Sequence, residues 1–333
     1  METDEGGDSF EKTISHVSMR WRTVTISDPS LWTQVSVHPK QHFSSLQTRI
    51  HRSVDMPIDV HIYPWPIQLT NIAPHSLLVQ LNIILRCASR LRSLTIRSGE
   101  MGKMFSFVLL YFTRYGTFLP SLECVRLCGW EKQVMPWSRA LFFHELCTPR
   151  LSTLNVDNMN IWTGNFDSWQ STVTTLILTR DIGAETVNTT FSDFIRVPSS
   201  FPSLTSFVIC GLVVEIPSYT ASTNRHQYPA IRTLGIHCIN DARFSLLIAT
   251  LALMCPDITH LDLTGPRAAL SLLEAIRQVS ADKIWPGLQK LVLNSFVGHE
   301  WSHIHRYLEN ATEKFDRTQK VGELITLLIE DRH

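Results

Sequence analysis

His299, Glu300 and His303 are the grouping in this chain whose residue types and spacing come nearest to a catalytic centre. On a helix, His-Glu-x-x-His puts two imidazoles on one face with the carboxylate beside them. Such a face can hold zinc and use the glutamate as the base for a metal-bound water. A third ligand would come from Glu309, Glu313 or Glu323. Fourteen histidines in 333 residues make a five-residue match easy to meet by chance. The element that carries the three residues therefore decides the reading.

That element belongs to a repeat. An apolar residue, two variable ones, an apolar, one variable and an apolar return nine times. The series runs Leu91/Leu94/Ile96, Leu122/Val125/Leu127, Leu151/Leu154/Val156, Val173/Leu176/Leu178 and Leu204/Phe207/Ile209. It continues through Ile231/Leu234/Ile236, Ile258/Leu261/Leu263, Leu288/Leu291/Leu293 and Leu324/Leu327/Ile329. The starts are 31, 29, 22, 31, 27, 27, 30 and 36 residues apart, and Pro120, Pro149, Pro202, Pro229 and Pro286 precede five of them within three residues. A period of this length belongs to a solenoid of one strand and one helix per repeat, since neither element buries its apolar side alone. Alternation from the fourth to the sixth position reads as a strand. The expected fold is α/β: a leucine-rich-repeat-like solenoid with a parallel sheet on the concave side, helices on the convex side and a short helical cap at the N-terminus.

Residues 299–316 fall in the helix zone after the eighth pattern, on the outer side, where no deep cleft is expected. No metal, cofactor or catalytic group is therefore assigned. No Gly-x-Ser-x-Gly elbow, P-loop or Gly-rich loop after a strand offers other chemistry. The reading is non-enzymatic.

Thirty basic and thirty acidic side chains cancel, and no dense Lys/Arg run is present, so a nucleic-acid partner is not expected. The longest apolar run, residues 105–112, is too short for a bilayer, so no membrane partner is expected either. Seven cysteines (Cys87, Cys124, Cys128, Cys147, Cys210, Cys238 and Cys255) fall mostly in or beside repeat elements. They read as reduced residues of a protein of the cytoplasm or nucleus.

Residues 1–9 read as a polar disordered tail. Phe10, Ile14, Val17, Trp21 and Val24 form the stripe of an amphipathic helix that runs to about Ile26, with a short turn at Leu31 and Trp32. Strands follow at Val35/Val37 and 59–63, and helices at 42–52 and 75–88. Residues 38–90 read as a cap and linker to the repeats, and 91–333 as the irregular solenoid. Between its strands, helices are expected at 101–115, 136–147, 188–197, 241–254 and 266–279. Asn240 caps the fourth of these, and Phe244, Leu247, Ile248 and Leu251 form its buried face. Variable strand positions point to the concave face. Arg97, Arg126, Asp157, His237, His260 and Asp262 sit there in neighbouring rungs and could form one polar patch for a target protein.

Val17-Ser-Met-Arg-Trp21-Arg-Thr-Val-Thr-Ile-Ser-Asp-Pro29-Ser-Leu31-Trp32 resembles the second half of an F-box of the kind found in mushroom-forming fungi, where it is joined to irregular leucine-rich repeats. Residues 10–37 would be this partial box. The resemblance implies that Trp21 and Trp32 pack the box, and that Arg20, Arg22 and Pro29 match its basic and helix-breaking positions. It further implies the specificity subunit of a cullin-type ubiquitin ligase, with a Skp1-like adaptor on the box and a target on the repeats. Family members open the box with a Leu-Pro-x-Glu helix, and nothing like it precedes Phe10. Adaptor docking is thus expected to be weak, over a polar strip of Ser18, Arg20, Arg22, Thr23 and Thr25. The alternative is a repeat scaffold with no ligase role.

Overall fold

The computed structural model describes residues 18–65, 75–97, 103–115, 118–129, 147–157, 172–180, 189–190, 197–211, 214–215, 230–237, 244–265, 271–272, 274–275, 285, 287–294 and 326–328. The expected tail at 1–9, the stripe before Ser18, the helices at 136–146 and 299–316 and the His299/Glu300/His303 grouping lie outside them. The chain divides into two compact units, Met1–Ser152 and Thr153–His333.

In the first unit, α1 (Met19–Ser27) leads through a 3-10 turn (Pro29–Trp32) into β1 (Gln34–Val37), α2 (Phe43–Arg52), β2 (Ile58–Ile62), α3 (His75–Leu85), β3 (Leu91–Arg97), α4 (Lys103–Arg114) and β4 (Cys124–Cys128). The four strands are parallel and adjacent in chain order. Val35, Val37, Ile58, Val60, Ile62, Leu94, Ile96, Val125 and Leu127 are buried on one face, and α2 packs against β1 and α3. Each buried aliphatic contributes about 1.5–3 kcal/mol by leaving water, so each rung is held mainly by its two or three motif residues. Two strands, β1 and β2, thus precede the first of the nine patterns and share its ladder.

The start of the helix differs from the expected one at 10–26, while the turn at Leu31 and Trp32 stands where it was expected. Ser18 is extended (φ −159°, ψ 164°), and its hydroxyl accepts from the Trp21 amide at 3.2 Å. The helix therefore starts afresh at Met19, capped by a side chain that competes for the first free amides. At its far end Asp28 caps the 3-10 turn, taking hydrogen bonds from the Ser30 amide and hydroxyl at 3.0 and 2.7 Å. Those bonds hold the Asp28 carboxyl below its ordinary range.

The second unit contains β5 (Thr153–Asp157), β6 (Thr175–Thr179), β7 (Thr189–Thr190), β8 (Ser206–Cys210), β9 (Val214–Glu215), β10 (Thr233–His237), α5 (Phe244–Met254), β11 (His260–Thr264), β12 (Lys290–Asn294) and β13 (Thr326–Leu328). Strands β5, β6, β8, β10, β11, β12 and β13 are parallel and adjacent in that order. Their patterns align position for position, with Leu176, Phe207, Leu234 and Leu261 in one row. Strands β7 and β9 pair separately, so Thr189 and Thr190, expected in a helix, are strand. Among the described residues of that segment Val197 is helical. Helix α5 also departs from expectation: besides the four expected residues, Ser245, Ala249, Thr250 and Ala252 are buried. It is enclosed on most sides rather than on one face.

The ladder begins before the strands do. The amide of the second pattern position donates to the carbonyl of the same position one repeat earlier, as in Thr205 to Thr174, Arg232 to Thr205, Thr259 to Arg232 and Gln289 to Thr259, at 2.8–2.9 Å. The hydroxyls of Thr205 and Thr259 reach the same carbonyls at 3.3 Å. This bonding turns the first apolar residue inward from the preceding turn. Each unit is an α/β arrangement of the solenoid kind, with parallel strands in sequence and helices between them.

Candidate functional site

Helix α1 exposes its apolar residues. Met19 is 84% and Trp21 52% exposed, and Val24 and Ile26 are also exposed. Thr25 is the buried residue of the helix. The expected burial of Trp21 is corrected by this; of the expected polar strip, Ser18, Arg20, Arg22 and Thr23 are exposed and Thr25 is buried. The cause is the joint that moors the helix. The Thr25 hydroxyl donates to the Trp21 carbonyl at 2.7 Å, and the Thr25 carbonyl accepts from Trp32 Nε1 at 2.8 Å. Trp32 itself is 6% exposed, with the guanidinium carbons of Arg52 and Arg49 at 4.4 and 5.6 Å from its ring centre. A polar contact thus occupies the inward side, and the four large apolar side chains are left outside. Arg20 and Arg22 are exposed, while Pro29 and Leu31 are half-buried in the turn.

On the first unit's sheet, the face away from the buried motif residues carries two expected residues, Arg97 on β3 and Arg126 on β4, both exposed. Unforeseen neighbours complete it. His61 on β2 and Arg126 are both register partners of Thr95, and Tyr63 follows β2. The Arg97 guanidinium stands 5.3 Å over the Tyr63 ring, which His38 meets edge-on at 6.4 Å. Asp59, the acid of this face on β2, is held in a fork by Arg92 Nε and Nη2 at 3.1 and 2.5 Å. Arg92 is free to turn there because the β2–β3 register shifts between Ile58 and Asp59. The alternation Ile58-x-Val60-x-Ile62 already implied that Asp59 and His61 share the other face. They were overlooked because β2 precedes the Leu-rich series.

The second unit carries the other four expected residues, which do not form a single patch. Asp157 is buried at the end of β5, with β6 and β8 between it and β10. His260 is exposed, with Nδ1 2.9 Å from the Thr259 hydroxyl. Only His237 and Asp262 meet, Nε2 to Oδ2 at 3.5 Å. They lie in different rows, and Gly235 lets them reach each other. A Cβ at Gly235 would stand 3.2 Å from His237 Nε2, so the imidazole folds back over the glycine toward its register partner Asp262. Hydrogen bonding from His237 first, helped by Thr264 and the charge of Lys290, holds the Asp262 carboxyl below its ordinary range against the opposing effect of burial.

Among the described residues no three His, Cys, Asp or Glu side chains are grouped to hold a metal ion, and no helix is long and apolar enough to cross a membrane. No protein-family model matches the chain, and no curated protein sequence matches it. The class the fold defines is an α/β repeat array of the solenoid kind.

Proposed function

We propose that the chain is a non-catalytic protein-interaction module in which α1 docks an adaptor and the sheet faces take a target. In this reading it acts as the substrate receptor of a ubiquitin ligase of the F-box type. The observation that carries the reading is the exposure of all four large apolar side chains of α1, Met19, Trp21, Val24 and Ile26. At 100° per residue Trp21 and Val24 share one face, and beside the polar joint at Thr25 and Trp32 they offer a partner helix an anchor surface. Trp21 is its centre, since a half-exposed indole gains apolar burial without reorganising the monomer.

The test is calorimetric titration of a purified Skp1-like adaptor against the chain and against Trp21→Glu. The expected result is micromolar binding that weakens by about tenfold or more in the variant, the loss for one buried aromatic anchor. Equal binding by both proteins, or none by the parent, would sink the adaptor role and leave a repeat scaffold acting through its sheet faces.

A further inference from the structure

Thr95 lies on the same side of β3 as the exposed Arg97, yet it is only 6% exposed. Its neighbours on that side explain the burial. His61 and Arg126 flank it in register on β2 and β4, and Arg97 follows two residues along its own strand. Strand spacing of about 4.8 Å and a two-residue rise of about 6.7 Å put the Arg97 and Arg126 Cα atoms about 8 Å apart, with His61 at a similar distance from Arg97. The two guanidinium groups do not converge on one point. Arg97 is drawn over Tyr63 on the β2 side, and Tyr63 is braced by His38, while Arg126 is rooted on β4. The acid within reach on β2, Asp59, is already engaged in the fork from Arg92.

We propose that this face binds an extended acidic peptide, with carboxylates at alternate positions received by Arg97 and Arg126 and with His61 on the Arg97 side, across Thr95 from Arg126. Alternate side chains of an extended chain project on one side about 6.7 Å apart, and two long arginine side chains rooted about 8 Å apart can each reach one of them. Arginine forks suit carboxylates. The aromatic support of Arg97 lowers the ordering cost of one of them. Two guanidinium groups held apart favour two separate carboxylates over one phosphate shared between them.

His61 adds a pH signature. Burial first, then the charges of Arg97 and Arg126, hold its imidazole below the ordinary value of 6.5, with Asp59 acting in the opposite direction. Ser36 on β1 is its uncharged register partner. The carboxylate received by Arg97, on the β2 side, favours the protonated form of the imidazole. The complex therefore takes up a proton, and affinity rises as the pH falls toward and below 6.5.

This inference rests on the reading of the chain as an interaction module, and the test separates the two. A fluorescein-labelled decapeptide of alternating Glu and Thr is titrated against the full chain, beside its Gln counterpart and a version with a single phosphoserine and no Glu. The Glu peptide is expected to bind about tenfold or more tighter than the Gln peptide. Arg97→Gln and Arg126→Gln should each weaken it by about three- to tenfold, with circular dichroism unchanged. Affinity should fall with added salt. It should rise between pH 8 and pH 5.5 in the parent but not in His61→Asn. Equal binding of Glu and Gln peptides, no binding of either, or binding of the phosphoserine peptide alone overturns the proposal. Adaptor titration of the parent chain distinguishes the failures. If the adaptor still binds while the acidic peptide does not, only the acidic ligand is lost. If the peptide binds and the adaptor does not, only the ligase reading is lost.

Discussion

Gly211 is the residue at which one added methyl group should do the most damage. It follows β8 with φ at +69°, and an added Cβ would lie 2.0 Å from the carbonyl oxygen of Arg180. The Gly211 amide donates to the His237 carbonyl at 2.9 Å, and the Arg180 amide donates to the Cys210 carbonyl at 2.8 Å. These bonds extend the ladder past the strand ends of β6, β8 and β10. In Gly211→Ala the left-handed backbone alone costs about 1 kcal/mol. The contact is with main chain, so no rotamer change relieves it. The turn must move, and the two ladder bonds are lost at about 1 kcal/mol each. The expected destabilisation is about 3 kcal/mol, a large part of the roughly 5–15 kcal/mol that holds an ordinary domain. Urea unfolding followed by tryptophan fluorescence should show the midpoint falling by about 1–2 M at constant slope. Gly287→Ala is the control, since nothing lies within 4 Å of its added methyl group. It should change stability by no more than about 1 kcal/mol, in either direction. A Gly211→Ala midpoint within about 0.3 M of the parent, or equal shifts in the two variants, would refute the strained-turn argument.

The His237–Asp262 pair gives a pH-dependent prediction. The Asp262 carboxyl is held below its ordinary value of 3.8, so its stabilisation is present above that pH and lost as the pH falls through the lower folded value. With the group about half exposed, solvent screening limits the effect to about 0.5 kcal/mol. Asp262→Asn should lower the urea midpoint slightly at neutral pH, with the gap closing below pH 3.8. A gap that persists or widens in acid contradicts the pairing. Burial, with help from the charge of Asp257, pushes the Cys255 thiol up to about 12. At pH 8 its thiolate fraction is on the order of one in ten thousand. Iodoacetamide should leave Cys255 unlabelled in the native protein and label it in urea, as read by peptide mass spectrometry. Rapid native labelling would show that the thiol is not enclosed between α5 and β11.

The buried rows were legible because side-chain direction in a strand follows position alone. Leu94 and Ile96, Leu154 and Val156, and Leu234 and Ile236 had to share a face at period two, and all are buried. Which residues occupy the opposite side followed from the same rule, and so did the placement of Arg97, Arg126, His237 and Asp262. Periodicity groups residues on a face, but it does not say whether anything covers that face. Trp21 and Val24 therefore looked like core, and only the joint between Thr25 and Trp32 turned them outward. Contacts between strands also lay beyond the sequence. The Arg92–Asp59 fork depends on a one-residue shift of register, and His237 reaches Asp262 because Gly235 on its own strand leaves room for the ring. Asp157 became buried through what packs around the end of β5, although its place in the pattern matches that of the exposed Arg97. Local pattern determined which way each residue points. Register, turn geometry and the neighbouring strands decided what it meets, because those depend on residues tens of positions away.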